Sequence, residues 1–418
     1  MGRKKKMSDP VDQTPQQNEE NEEPERFDPS LLLQPPEVRL NYFENTCIIM
    51  HTQLVEACDK ILRAICSPGE GSSLRRPGKM VLVIGPTRVG KTTLIGQLEK
   101  QLLDRAKERM LLDPSFIPFV TINIPSSGRF EWIDYYKAVL RMIGDPFIDR
   151  RNPRLRGRDL REAMEVALIQ RKPFAVIVDE AQHLAKAARG SSLQDQIDQL
   201  KYFENVTGVS HVLVGTYEMR PFRKINAQLA CRSIDVHFPR YDATEDDGRA
   251  LFKSALWALQ CQLPLEEEPL LVEDHWEFLY ARSIGCIGQL KMHLNEALAL
   301  ALTEGAKTIT KAHLLATALT EDRVVLAFNT ALKGENDLFE AKGANERLIK
   351  MIWDAKKTEA PSAKEGIEGR GKDQDQPIKP GPSKRNQPGT RSSGRDRIGF
   401  EPEVDDTESS EQKETAAG

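Results

Sequence analysis

The chain has 418 residues, of which 39% are hydrophobic and 29% are charged, and its formal net charge is −4. It contains no run of 18 apolar residues, which argues against a membrane span, and no apolar stretch follows the basic residues 3–6, so we expect no secretory signal. The six cysteines show no CxxC pair and no zinc-ligand spacing, which favours reduced thiols in a cytoplasmic protein. A slightly negative net charge argues against a protein that coats nucleic acid with its whole surface, but it allows a local basic patch.

The first predicted region is a disordered N-terminal arm over residues 1–37, because few apolar residues precede Leu31. At the other end, residues 356–418 carry blocks of alternating charge, which predicts a disordered tail. Either segment has a second interpretation as a docking element, the arm through its basic start and the tail through the apolar and acidic stretch 398–406.

Between these ends, the sequence predicts an α/β domain over residues 38–242. Short, apolar, β-branched runs alternate with helix-like segments, and they occur at 80–84, 119–124, 174–178 and 211–215. This alternation indicates a parallel sheet flanked by helices. After Asp242 the segments 243–262, 270–283, 287–304 and 310–321 are predicted to be helical, which gives a small all-helical domain over 243–325, followed by a helical extension over 326–355.

A phosphate-binding loop follows the first predicted strand. Its eight residues match GxxxxGK[ST] in full and lie between a strand and a helix, which is the structural setting that the motif needs. Backbone N–H groups of such a loop surround phosphate oxygens, while its lysine reaches the β- and γ-phosphates and its hydroxyl binds Mg²⁺. We therefore predict ATP and Mg²⁺ as cofactors, with Thr92 on the metal and with the nucleotide bound by Gly85, Pro86, Thr87, Arg88, Val89, Gly90, Lys91, Thr92 and Thr93.

Two adjacent carboxylates, Asp179 and Glu180, end the third predicted strand in a DEAQH sequence. At the end of a buried strand and behind a phosphate-binding loop, Asp179 is predicted to hold the metal and Glu180 to activate the attacking water. His183 has two interpretations, a γ-phosphate sensor or a cap of the local turn.

These motifs, together with a polar residue at Thr216 and an arginine at Arg232, occur in the order typical of AAA+ ATPases. Over roughly residues 40–325 the chain resembles more closely the TniB/TnsC-like ATPases that regulate DNA transposition. The shared features are a helical lead-in at 38–66, a GPTxxGKT loop, the DEAQH box, a VGT strand end, a QLxxR segment before a strand at 234–238, and a GxxGxL pattern at 285–290. The resemblance implies an AAA+ P-loop NTPase whose helical domain is a lid.

The resemblance also implies roles for single residues. Thr216 corresponds to the sensor-1 position, and Arg232 to an arginine finger that reaches the nucleotide site of a neighbouring subunit, with Arg220 and Arg223 as competitors. Lys291 occupies the place where AAA+ lids usually carry a sensor-2 arginine, and it is either a nucleotide ligand or a surface lysine.

Two segments are candidates for contact with DNA. The first is a basic loop before the helix that leads to the third strand, and it carries Arg150, Arg151, Arg154, Arg156 and Arg158. Arginine side chains suit phosphate oxygens, and the alternative is a solvated loop or a contact between subunits. The second segment follows the second strand, and there the resemblance points to Arg129 and Lys137.

The predicted function is an ATPase that oligomerises on double-stranded DNA, as a ring or a filament, and links target selection to a transposase. Its implied partners are the transposase and a TniQ/TnsD-like target-selection protein in a bacterial, DNA-associated setting, and hydrolysis would control disassembly. The alternatives are a signalling or defence NTPase, a replication-initiator or helicase-loader ATPase, and a scaffold that binds ATP without hydrolysis, which Glu180 disfavours.

Overall fold

The computed structural model describes residues 24–66, 78–126, 128–146, 148, 157–186, 192–223, 233–338 and 350–351. The chain divides into two compact units, residues 1–344 and 345–418, and of the second only Lys350 and Met351 are described. Most of the predicted arm (1–23) and the whole predicted tail (356–418) lie outside the described residues. No helix within the described ranges is both long and apolar enough to cross a bilayer.

A five-stranded parallel sheet forms the centre of the described part of the first unit. The strand order is β2-β3-β4-β1-β5, with β1 Met80–Ile84, β2 Phe119–Asn123, β3 Ala175–Asp179, β4 Ser210–Gly215 and β5 Ser233–His237. The predicted strands agree with these bounds to within one residue. The parallel sheet that the sequence predicts is therefore present.

Both faces of the sheet are covered, which explains the continuous apolar runs. Along β1, Met80, Leu82 and Ile84 enter one hydrophobic cluster, and Val81 and Val83 enter the cluster on the opposite face. Successive side chains of a strand point to opposite faces, so an all-apolar strand fits only a sheet with helices on both sides.

The α-helices that precede the lid in the described residues belong to the α/β domain and its lead-in. They are α1 Pro36–Asn41, α2 Thr52–Ile65, α3 Lys91–Leu112, α4 Trp132–Ile143, α5 Gly157–Arg171, α6 Leu193–Thr207 and the single turn α7 Arg220–Arg223. Buried residues of α4, α5 and α6 pack on one face, and those of α2 and α3 on the other. The predicted helical lead-in thus consists of α1 and α2, joined through a π-helical turn at Tyr42–Thr46.

The lid has its own hydrophobic core, built from α8 Asp246–Cys261, α9 Leu271–Asp274, α10 Trp276–Ser283, α11 Ile287–Thr303 and α12 Lys311–Thr317. Phe43 and Cys47 of the lead-in are buried in this core, and Leu40 packs against it. The lead-in therefore contacts the lid through its first half and the sheet through α2.

Residues 24–37 differ from the expectation of an arm disordered up to residue 37. Arg26 forms an ion pair with Glu268, the Phe27 N–H donates to the Cys261 carbonyl at 3.3 Å, and residues Pro29–Leu33 form a 3-10 turn. The anchoring is polar and main-chain, which is why a count of apolar residues did not predict it.

The last long helix of the described residues, α13 Glu321–Leu338, packs against the α/β domain. The predicted boundary at 325 lies within this helix. Ala331 is buried in the cluster that contains α2 and α3, and Gly334 lies so close to the Tyr217 ring that a Cβ at this position would overlap it. The described part of the predicted extension, residues 326–338, is thus packed beside the end of β4.

Candidate nucleotide-binding and hydrolysis site

The carboxyl ends of β1, β3 and β4 bring the predicted site residues to one edge of the sheet. The register pairs Ile84 with Gly215 across β1 and β4, so the phosphate-binding loop and Thr216 begin side by side. Val178 pairs with Leu213, which places Asp179 and Glu180 beside the same strand end. Ligands of open α/β sheets bind at this edge, where the chain crosses between non-adjacent strands.

The phosphate-binding loop turns sharply between β1 and α3. Arg88 and Gly90 both have positive φ, 64° and 115°, and Gly85 passes so close to the Phe238 carbonyl that a side chain would overlap it. The Gly85 N–H donates to the Gly215 carbonyl at 3.3 Å. The loop is therefore fixed on one side by β4 and on the other by the segment after β5. Val89 lies in the core, and Thr87, Thr92 and Thr93 are exposed.

Lys91 is the first residue of α3 and is only 8% exposed. Its ammonium donates to the Pro86 carbonyl at 2.7 Å and to the Gly85 carbonyl at 3.3 Å. Burial lowers the pKa of Lys91, while the carboxylates of Glu180 and Asp179 act in the opposite direction. The charge of the loop lysine thus interacts favourably with both carboxylates.

Asp179 and Glu180 differ in their surroundings. Burial raises the pKa of Asp179, although its carboxylate accepts a hydrogen bond from the Glu180 N–H at 2.8 Å. Glu180 has a left-handed backbone with φ of 53°, and its side chain is 43% exposed. Asp179 is thus held by the strand end, whereas the carboxylate of Glu180 faces a more open space.

His183 and Gln182 lie in the 3-10 turn Ala181–Ala185 that follows the two carboxylates. The His183 Nε2 atom is 3.9 Å from Glu180 Oε2, and the ring is largely buried. Gln182 donates to the same carboxylate oxygen and accepts a hydrogen bond from the Thr216 N–H at 3.3 Å. Sequence reasoning missed Gln182, because its role depends on which strand lies next to β3.

Thr216 follows β4 directly. Its hydroxyl accepts a hydrogen bond from the Glu218 N–H at 3.4 Å and caps the turn Tyr217–Met219. In this arrangement the side chain stabilises the strand end. A contact with a γ-phosphate remains a prediction.

The lid touches the phosphate-binding loop through main-chain atoms. The Gln289 N–H donates to the Arg88 carbonyl at 2.9 Å. A Cβ on Gly288 would lie 2.5 Å from the same oxygen and 3.1 Å from Gly90 N, so only glycine fits there.

Lys291 points to the lead-in. Its ammonium donates to the carbonyl oxygens of Cys47 at 2.6 Å and of Glu44 at 3.0 Å. Burial lowers its pKa. These bonds tie α11 to the lead-in, and they do not test the predicted contact of Lys291 with nucleotide.

The candidate arginine fingers fall into two groups. Arg232 lies outside the described residues. Arg220 pairs with Asp337 of α13, and Arg223 pairs with Asp235 of β5. Both competitors are therefore engaged by carboxylates of their own chain.

The candidate DNA-contacting residues are only partly described. Arg150, Arg151, Arg154 and Arg156 lie outside the described residues. Arg158 is exposed and pairs with Glu162 at 2.9 Å, and Lys137 is half-buried on α4. Arg129 is exposed in the segment after β2. Lys186, whose carbonyl accepts a hydrogen bond from Phe130 of that segment, is another exposed cation that sequence reasoning missed.

The sheet order, the phosphate-binding loop and the helical C-terminal part define an AAA+ P-loop NTPase fold. Residues 74–222 match the family model of the AAA domain. No curated protein matches the chain.

Several solved structures are similar to this chain. One is the ORC2 protein of Aeropyrum pernix in its ADPNP-ADP complexes, with 15% identity and a TM-score of 0.49, covering 66% of this chain and 70% of that one. Drosophila ORC bound to DNA has 11% identity and a TM-score of 0.42, covering 84% and 88%. Cdc6p of Pyrobaculum aerophilum has 13% identity and a TM-score of 0.40, covering 76% and 89%.

Proposed function

We propose that this protein hydrolyses ATP and that it does so as an assembly on double-stranded DNA. The observation that carries the proposal is the meeting of Lys91, Asp179 and Glu180 at one sheet edge, with the lysine buried and its charge favoured by both carboxylates. A lysine for the phosphates and a carboxylate for the attacking water are what phosphoryl transfer to water requires.

Each of these residues has a chemical role in the proposal. Lys91 would bind the β- and γ-phosphates, and Glu180 would orient the attacking water and accept its proton. The Thr92 hydroxyl and the Asp179 carboxylate offer oxygen atoms, which are the ligands that Mg²⁺ prefers, and the ion would neutralise phosphate charge. The hydrogen bond from the Glu180 N–H orients the Asp179 carboxylate for this purpose.

Steady-state hydrolysis and binding of a fluorescent ATP analogue test the catalytic half of the proposal. Glu180→Gln should bind the analogue as the wild type does and lose hydrolysis by on the order of 100-fold or more, because the proton acceptor is removed. Lys91→Ala should lose binding. Glu108→Gln, an exposed carboxylate on α3, is the matched control. Unchanged turnover in Glu180→Gln would refute the assignment.

Two exposed cations, Arg129 and Lys186, support the DNA half of the proposal. The Phe130 N–H donates to the Lys186 carbonyl at 2.8 Å, and the Lys186 ammonium donates to the Ser126 carbonyl at 3.4 Å. These bonds join the segment after β2 to the turn after β3, so exposed Arg129 and exposed Lys186 lie on adjoining segments. Cations at such a position would contact phosphates without sequence choice.

The salt dependence of duplex binding tests the contact between Arg129 and DNA. Arg129→Ala should weaken binding to all sequences and reduce the log–log salt slope by about 1, because one phosphate contact is lost. Lys107→Ala, an exposed lysine on α3 that pairs with Asp104, should leave the slope unchanged. Equal slopes for the wild type and Arg129→Ala would remove Arg129 from the DNA contact.

The finer proposal is a regulator of DNA transposition of the TniB/TnsC type, with a transposase and a TniQ/TnsD-like protein as partners. It is supported by the motif resemblance alone. The alternative is an initiator- or helicase-loader-type ATPase.

Electron microscopy of the protein on linear duplex, with ATP, a non-hydrolysable analogue, ADP or no nucleotide, separates these proposals. A continuous ATP-dependent helical filament favours transposition regulation, since a head-to-tail contact that does not close grows without limit. Discrete particles of fixed size favour the initiator type. Absence of DNA binding under every condition would contradict both.

A further inference from the structure

Gln182 lies between the candidate catalytic carboxylate and the end of β4. It is the second residue of the turn after Glu180, and only 6% of it is exposed. A buried amide must find partners for both its donor and its acceptor atoms, or it destabilises the fold. Both partners of Gln182 belong to the hydrolysis site.

The two hydrogen bonds of Gln182 fix the orientation of its amide. The Thr216 N–H can only donate, so the atom 3.3 Å from it must be the carbonyl oxygen of the side chain. The NH₂ group therefore faces the other way, where it donates to Glu180 Oε2. The side chain thus joins the Glu180 carboxylate to the main chain of the sensor-1 position.

The end of β4 is shaped to admit this side chain. A Cβ on Gly215 would overlap the Gln182 carbonyl oxygen and the Met219 sulfur, so the absence of a side chain at Gly215 makes the space. The Gly215 carbonyl accepts a hydrogen bond from Gly85, the first residue of the phosphate-binding loop. A continuous chain of contacts therefore runs from Gly85 through residues 215–216 and Gln182 to Glu180.

We propose that Gln182 is a positioning residue that transmits movement of the β4 end to the Glu180 carboxylate. A phosphate that displaces Thr216 or Gly85 would shift Gln182 and, with it, the carboxylate that receives the proton from water. The proposal rests on the proposed ATPase function and adds a mechanical link between phosphate contact and hydrolysis. Gln182 itself touches no reacting atom.

Gln182→Met tests the link, because methionine keeps the length of the side chain but makes neither hydrogen bond. We expect kcat to fall on the order of 10- to 100-fold, since the carboxylate loses its defined position. The KM for ATP should stay within about twofold, because the phosphate-binding loop is untouched. Unchanged kcat would overturn the proposal.

Gln260→Met is the matched control. Gln260 is also buried and also joins a carboxylate to main-chain N–H groups, donating to Glu268 at 2.9 Å and accepting from Leu271 at 2.9 Å, but it lies in the lid. Its replacement should lower the melting temperature and leave kcat at 25 °C unchanged. An equal loss of kcat in both variants would show a general packing effect and overturn the proposal.

A double mutant identifies the residue through which Gln182 acts. In the Glu180→Gln background, Gln182→Met should change the residual single-turnover rate by less than about twofold, because the group that it positions is already absent. A second full loss of rate would overturn the link to Glu180.

Hydrogen–deuterium exchange separates failure of this proposal from failure of the proposed function. Without nucleotide, the Thr216 amide should exchange faster in Gln182→Met than in the wild type, since its acceptor is gone. If the wild type neither binds nor hydrolyses ATP, the proposed function fails. The exchange comparison still tests whether Gln182 accepts the hydrogen bond from Thr216. Equal exchange at Thr216 in the two proteins would show that the hydrogen bond between Thr216 and Gln182 is absent.

Discussion

His51, in the lead-in, packs its ring against the segment that follows β5. Its ring stacks on Phe238 with centroids 6.2 Å apart, and its Nδ1 atom lies 3.0 Å from the Tyr241 hydroxyl. Burial lowers its pKa from 6.5 to about 4. His237 shows the same shift, caused by burial and by the charge of Arg223.

The pKa of His51 predicts a loss of stability in acid. The unfolded chain takes up a proton near pH 6.5 and the folded chain only near pH 4, so the unfolded state binds more protons in this window and stability falls as the pH falls. At pH 5 this difference in proton uptake by His51 lowers the free energy of unfolding by about 2 kcal/mol.

The pH dependence of urea unfolding checks this contribution. The free energy of unfolding should fall less between pH 7 and pH 5 in His51→Phe than in the wild type, although the variant loses the hydrogen bond to Tyr241 at every pH. Parallel curves for the two proteins would contradict the prediction.

At the level of single residues, the sequence was informative where a motif carries the chemistry. The phosphate-binding loop and the Asp179–Glu180 pair are local in sequence, so their position at a strand end followed from the neighbouring residues. The hydrogen bonds that join Gln182 to Thr216 and Lys291 to the lead-in were not predictable, because in both cases the partner is a main-chain group of a distant segment.

Among the elements, the lid and the phosphate-binding loop meet at Gly288. A methyl group there would press on the Arg88 carbonyl, a main-chain atom that cannot rotate away. Such overpacking costs about 1–3 kcal/mol. The first turn of α11 therefore lies against the loop only while residue 288 has no side chain.

Gly288→Ala should weaken ATP binding by about 10-fold, because the lid can no longer approach the loop closely. Gly96→Ala on α3, where a Cβ would meet nothing within 4 Å, is the control and should bind ATP as the wild type does. Titration with a fluorescent ATP analogue measures both. Equal affinities for Gly288→Ala and the wild type would contradict this account of the lid contact.

The helix α13 is anchored by an ion pair with little exposure. The Arg240 guanidinium, 6% exposed, contacts the Glu335 carboxylate at 3.0 Å and donates to its second oxygen at 3.1 Å. Removing one member of such a pair leaves a buried charge without compensation, which costs about 3–5 kcal/mol.

Glu335→Ala should therefore lower the free energy of unfolding by about 3–5 kcal/mol. Asp337→Ala removes a half-exposed partner of Arg220 on the same helix and should cost no more than about 1 kcal/mol. Urea titration compares the two variants, and similar losses would show that burial does not set the strength of these pairs.

The sequence predicted the types of the elements better than their ends. Apolar runs gave four strands and the lid helices, and the fifth strand came with the family resemblance. The helix α13 was divided between the lid and an extension, since nothing local marks residue 325 as the interior of a helix. Its anchoring to Tyr217 and Arg240 depends on tertiary contacts that periodicity does not encode.

At the scale of the whole molecule, the alternation of strands and helices predicted a parallel sheet, but not that β1 lies between β4 and β5. Assembly is the remaining expectation at this scale. Because Arg220 and Arg223 pair within the chain, Arg232 is the candidate that we propose to supply charge to a neighbouring site.

Arg232→Ala should bind ATP as the wild type does and lose the stimulation of hydrolysis that accompanies assembly on DNA. Hydrolysis measured against protein concentration, with and without duplex, checks this. Arg223→Ala serves as the comparison, and a larger loss in that variant would transfer the role to Arg223.

The contact between the lid and the phosphate-binding loop is a hydrogen bond between two peptide groups, Gln289 N–H and Arg88 C=O. Hydrogen exchange of the Gln289 amide is therefore a direct measure of lid opening. The exchange rate of this single amide would report the fraction of time during which the lid stands away from the loop, in the unmodified protein and without any attached probe.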